Sequence, residues 1–214
     1  PFWLKPPSRA DARLISSQQP KYRYIANMGA SKSSLAIEEH FVVPEANFSI
    51  PVRTTRRMGW QRDLPDFRDR VLAMPEHQKS NLPRHVDLRP SEHFHIYDQG
   101  ELGSCTANAI GAAFHYALVK EGITDFAPSR LFIYYNERAM EGTVGTDSGA
   151  MIRDGIKSLH KIGTCSEKEW PYNINVFTAQ PPPHAYIHAA KERAQEYARV
   201  PQTMEDMKAC IAGG

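Results

Sequence analysis

The chain has 214 residues, 41% of them hydrophobic, a formal net charge of +2 and three cysteines. That length supports one domain with a real core, and the near-neutral balance excludes a nucleic-acid binder, which needs a concentrated basic surface. No apolar run approaches the ~18 residues of a membrane span, and three cysteines, Cys105, Cys165 and Cys210, are too few and too odd for a disulfide framework, which points to a reducing, cytoplasmic setting.

Residues 1–57 carry many Pro, Ser, Arg and Gln with weak periodicity, and read as a poorly ordered extension. Alternation at 40–43 and 48–50 permits short strands there. The basic cluster at 53–57 is short and reads as solvated surface. No basic-then-apolar secretory signal is expected. From Met58 the character changes: Trp60, Leu64 and Phe67 stand as anchors between charges. His93 and His95 alternate, but no Cys or His follows at ligand spacing, so no metal is expected.

The stretch 98–118 reads as a tight loop delivering one cysteine to the start of a buried helix. Gly100 and Gly103 allow the turn. From Cys105 onward there is no Pro, little charge and much Ala, so the helix should be apolar nearly all round. A thiol at a helix N-terminus sits at the positive end of the helix dipole, which favours thiolate. The free N–H groups there suit a developing oxyanion, and Gln99, six residues upstream, offers a second donor. A bare buried Cys at a helix start is the plainer reading of these residues alone.

Gly122 should close that helix. Ser129 is the expected N-cap of a second one, with Leu131, Phe132, Tyr134 and Tyr135 as core. Residues 141–150 form a glycine-rich loop without the Gly-Lys-Ser/Thr of a phosphate loop. Met151, Ile152, Ile156, Leu159 and Ile162 then mark one face of a third helix, with Arg153, Asp154, Lys157 and Lys161 outside. Gly163 ends it. Cys165 reads as a small hydrophobe. Residues 181–183 are three prolines opening a polar excursion, and 185–200 mixes helix and strand character. Thr203 should cap a last helix, with Asp206 three on and Met207, Cys210 and Ile211 buried.

Gln99 followed six residues later by Cys105, within Gly103-Ser104-Cys105, resembles the active-site segment of papain-like cysteine peptidases, whose signature is Cys-Gly-Ser/Ala-Cys-Trp/Tyr. Two positions depart. Leu102 replaces the first cysteine, so the neighbouring disulfide of the family is absent; Thr106 replaces the aromatic, removing a wall beside the nucleophile. Three other stretches resemble the family. Residues 58–69 look like the leader preceding the catalytic domain in bacterial and archaeal members. Leu82-Pro83-Arg84-His85-Val86-Asp87-Leu88-Arg89 resembles the start of the mature domain. Residues 167–172 resemble its Glu…Trp-Pro-Tyr turn. The resemblance covers about 58–214. It implies an α+β papain-like fold, mainly the helical half, divided as 1–57 extension, 58–83 leader and 84–214 catalytic half.

The resemblance implies Cys105 as nucleophile and Gln99 with the Cys105 N–H as oxyanion donors. Ser148 and Gly149, where the family has Gly-Gly, would contact the substrate backbone, with Gly103 nearby. The substrate is then a peptide or protein, with no cofactor. Family leaders cross the cleft, so residues 58–83 are expected on or near the Cys105 face. The family's His and Asn lie roughly 130–150 residues after the cysteine, past about position 235. The β-rich partner half that carries them is therefore expected outside 1–214, and the chain alone should lack its base. His115 cannot substitute: it is ten residues along the same helix, about 15 Å away. The competing reading is a non-catalytic peptide-binding or scaffold relative that keeps the cleft and has lost the chemistry. A redox or metal protein is disfavoured, because no two cysteines are closely spaced.

Overall fold

The computed structural model describes residues 2–6, 58–88, 96–123 and 125–213. The expected strands at 40–43 and 48–50, the basic cluster at 53–57 and the His93/His95 pair lie outside these residues. In chain order the elements are β1 (Phe2–Lys5), β2 (Trp60–Gln61), α1 (Glu76–Ser80), α2 (Cys105–Lys120), α3 (Arg130–Glu141), β3 (Ala150–Met151), α4 (Ile152–Lys161), a 3-10 turn (Ile174–Val176), α5 (Pro183–Ala189), β4 (Glu196–Arg199) and α6 (Met204–Gly213).

Helices α2, α3 and α4 pack on one another and make the core. The expectation for α2 holds: Ala107, Ile110, Phe114 and Leu118 are all buried, and so are Thr106, Asn108 and His115 on its other faces. Gly122, at φ +85°, reverses the chain, and Ile123 N–H returns to Leu118 O at 2.9 Å. Ser129 caps α3 as expected, accepting from Phe132 N–H at 3.1 Å. Gly142, in the left-handed conformation, ends α3.

Helix α4 differs from the amphipathic reading in one residue. Arg153, expected outside, is 4% exposed. Residues 63–69 run over it: the guanidinium holds Asp69 at 2.6 and 3.0 Å and the Leu64 carbonyl, while Arg153 N–H bonds Asp63 Oδ1 at 3.0 Å. Helix α4 makes no cap bond from its own N-cap, Met151. Asp63, 90 positions away, accepts a first-turn N–H instead.

The segment 185–200 resolves into both alternatives, the end of α5 and then β4. Strand β4 pairs antiparallel with β1, Phe2 against Arg199 and Lys5 against Glu196. Phe2–Lys5 therefore do not share the poor order expected of 1–57; ladder bonds and packing of Phe2 and Leu4 on the core hold them. On α6, Thr203 caps as expected, receiving Asp206 N–H at 3.1 Å. Its buried residues are Asp206 and Ala209 rather than the expected stripe; Ile211 is 51% exposed. The face is rotated because α1 packs on α6, with Lys79 Nζ 2.9 Å from Asp206.

Candidate active site

Across residues 102–108 only Cys105 keeps surface. Leu102, Gly103 and Ser104 before it are buried, as are Thr106, Ala107 and Asn108 after it. The cause is local. Ser104 N–H turns back to Leu102 O at 2.8 Å, and Asn108 N–H returns to Ser104 O at 3.0 Å, which starts α2 at the cysteine. Tyr172 fixes the approach: its hydroxyl meets Ser104 Oγ and lies 2.9 Å from Gln99 O. Arg130 braces the same loop. Its guanidinium bonds Asp98 O, Asn108 Oδ1 and Glu167, and lies over the rings of Tyr97 and Tyr172 at 4.5 and 4.0 Å. Gln99 sits in this loop, its amide nitrogen bonded to Leu102 O at 2.9 Å.

The departures at 102 and 106 have physical consequences. Leu102 is 5% exposed and joins the core cluster in place of a sulfur. Thr106 points inward, and its hydroxyl donates to Glu137 Oε1 at 2.7 Å. Glu137 is fully buried; desolvation pushes its carboxyl well above the ordinary range, against the pull of the Thr106 bond. Its Oε2 has no hydrogen-bond partner among the described residues and lies where a Cβ on Gly155 would come within 2.5 Å.

The opposite wall is the 147–151 turn. Asp147 accepts Gly103 N–H on both carboxylate oxygens at 3.0 Å. The Tyr134 hydroxyl donates to Asp147 and accepts Gly149 N–H at 3.2 Å. The two walls are thus tied through one carboxylate and one phenol. Neither residue was singled out as functional from sequence; Asp147 reads as an ordinary loop acid and Tyr134 as core. The Ser148 hydroxyl turns back to Thr143 Oγ1 at 2.9 Å, so Ser148 presents its carbonyl rather than its side chain.

Gly103, Ser148 and Gly149 do come together, and residues 58–61 lie across them. Ala150 N–H donates to Gly59 O at 2.8 Å, β2 runs parallel to β3, and Gln61 Nε2 bonds Ser148 O at 2.9 Å. Of residues 58–83, all expected on or near the Cys105 face, this first stretch is there, since Gly59 packs on Gly103. Farther along, residues 63–72 follow α4 and β4, and α1 rests on α6. The histidines that show bonds are engaged elsewhere: His115 with Tyr97, His160 with Ala194 O and His188 with Glu169. Cys165 is fully buried, and burial pushes its thiol up to about 12.

A partly exposed cysteine thus heads a buried helix, and the loop before it is joined to the 147–151 turn through Asp147 and through Gly59. In sequence and in fold the chain is similar to papain-like, C1-type cysteine peptidases. No family model matches the sequence. An uncharacterized peptidase C1-like protein of Acanthamoeba polyphaga mimivirus is 36% identical over 167 residues, covering 71% of this chain and 54% of that one. The crystal structure of xylellain, a cysteine protease from Xylella fastidiosa, superposes with a TM-score of 0.70 at 44% identity, over 73% of this chain and 63% of that one. The chain thus spans about half the length of the curated relative it matches.

Proposed function

We propose that this chain carries the nucleophile half of a cysteine peptidase that cleaves peptide bonds through an acyl-enzyme on Cys105. The observation that carries the reading is the exposure pattern at 102–108: three buried residues on each side hold one thiol-bearing residue at the surface, at the N-terminus of α2. The Cys105 N–H and Gln99 serve the oxyanion, and the backbone of Ser148 and Gly149 pairs with the peptide. Residues 58–61 act as a leader that fills the groove before substrate does; their bonds to Ser148 O and Ala150 N–H support this. The base and its orienter come from outside 1–214, in the partner half of the fold. Without them several orders of magnitude in rate are forfeited. The three free cysteines support a reducing compartment such as the cytoplasm.

The test is alkylation by iodoacetamide at mildly acidic pH in the full-length protein, followed by peptide hydrolysis. Cys105 should label first, and Cys105→Ser should abolish both labelling and hydrolysis. Equal labelling rates at Cys105, Cys165 and Cys210 would sink the assignment.

A further inference from the structure

Three glycines, Gly59, Gly103 and Gly149, meet where residues 58–61 cross the loop before α2 and the 147–151 turn. A Cβ on Gly59 would overlap the Gly103 carbonyl and lie 2.9 Å from Gly149 Cα. A Cβ on Gly149 would overlap the Gly59 carbonyl, and φ at Gly149 is +73°, a conformation that disfavours any side chain. The obstructing atoms are backbone on both sides, so no rotamer change relieves the overlap. Nor can the walls part freely: Asp147 holds Gly103 N–H, and Tyr134 ties Asp147 to Gly149 N–H.

The neighbours of Gly59 are not restricted in this way. Met58 is 76% exposed and Trp60 56% exposed, so both side chains reach solvent. Two residues on, Gln61 reaches in again and donates to Ser148 O. The strand is therefore read at alternate positions, once by shape and once by a hydrogen bond.

We propose that the gap between Gly103 and Gly149 is a glycine-selective subsite. A peptide that takes the place of residues 58–61 must present glycine where Gly59 sits, with a hydrogen-bond donor two residues later. This rests on the reading of the groove as a peptide site and adds the class of peptide it takes. A methyl group at this position should cost at least ~10-fold in binding, since it overlaps close-packed backbone.

The test follows amide hydrogen exchange at Ala150, whose N–H is held by the Gly59 carbonyl, in the full chain. Gly59→Ala should speed that exchange at least ~10-fold while α2 and α3 stay protected, and Trp60→Ala should leave it within ~2-fold. Unchanged protection at Ala150 in Gly59→Ala overturns the proposal. In a second arm the peptide acetyl-Met-Gly-Trp-Gln-Arg-amide is added to the Gly59→Ala chain and should restore protection. The same peptide with Ala for Gly should not. Restoration by both peptides, or by neither, overturns glycine selection. Neither arm requires bond cleavage. A protein that selects the glycine peptide but forms no acyl-enzyme defeats the peptidase reading and leaves the subsite standing.

Discussion

Asp69→Asn isolates the clamp that fastens residues 63–69 to α4. The Arg153 and Asp69 side chains are 5% and 7% exposed, and two bonds join them, at 2.6 and 3.0 Å. Removing one partner of a buried pair typically costs about 3–5 kcal/mol, because the other charge stays buried and uncompensated. Asparagine keeps one acceptor, and Arg153 keeps the Leu64 carbonyl. The loss should therefore fall at the lower end, about 3 kcal/mol. For a chain of this size that corresponds to roughly 6–12 °C in melting temperature. The assay is urea unfolding followed by circular dichroism at pH 7, with wild type and variant fitted to a common slope. Replacing the whole pair, Asp69→Leu with Arg153→Met, should recover most of the loss, since no charge is then stranded. A loss below ~1 kcal/mol for Asp69→Asn, the range of exposed pairs, would refute the account of a desolvated clamp.

Glu137→Gln should change how stability depends on pH. The folded chain keeps the Glu137 proton well above 4.5, whereas the unfolded chain releases it near 4.5. Stability from this group is thus full below 4.5 and falls as pH rises, by up to about 1.4 kcal/mol per pH unit, until the buried carboxyl ionises. The variant lacks that slope, so urea midpoints measured from pH 5 to 7 should favour it increasingly; parallel curves would contradict the shift. Cys165, with its thiol raised to about 12 and no exposure, should resist iodoacetamide at pH 8 in the folded chain and react in urea. Native labelling at that position, read by mass spectrometry, would refute its burial. Tyr134→Phe should cost about 1–3 kcal/mol in urea unfolding, because the buried Gly149 N–H loses its acceptor. A neutral result would show that the two walls do not depend on the phenol.

Signals written into a few consecutive residues were legible in the sequence. Ser129, Gly122, Gly163 and Thr203 mark helix ends because capping is a local matter of side-chain oxygens and left-handed glycines. The Gly103-Ser104-Cys105 run marked the start of α2 for the same reason. What escaped was set by distant partners. Arg153 looks like surface on a helical wheel and is buried only because residues 63–69 cross it. Phe2–Lys5 look like loose sequence until they meet β4. The role of Asp147 depends on one N–H, 44 positions upstream, that helix and strand patterns do not encode.

The pairing of β1 with β4 also bears on how the chain reaches this state during synthesis. Phe2 is made long before its neighbour in the sheet, Arg199. Residues 70–72 dock on the same strand, through Arg199 N–H to Arg70 O and Leu72 N–H to Arg199 O. Phe2–Lys5 must wait on the ribosome for nearly two hundred residues and 70–72 for well over a hundred, and such long-range closure is slow. The helical core can assemble first, so the final act of folding draws β1 and residues 70–72 onto a frame already standing.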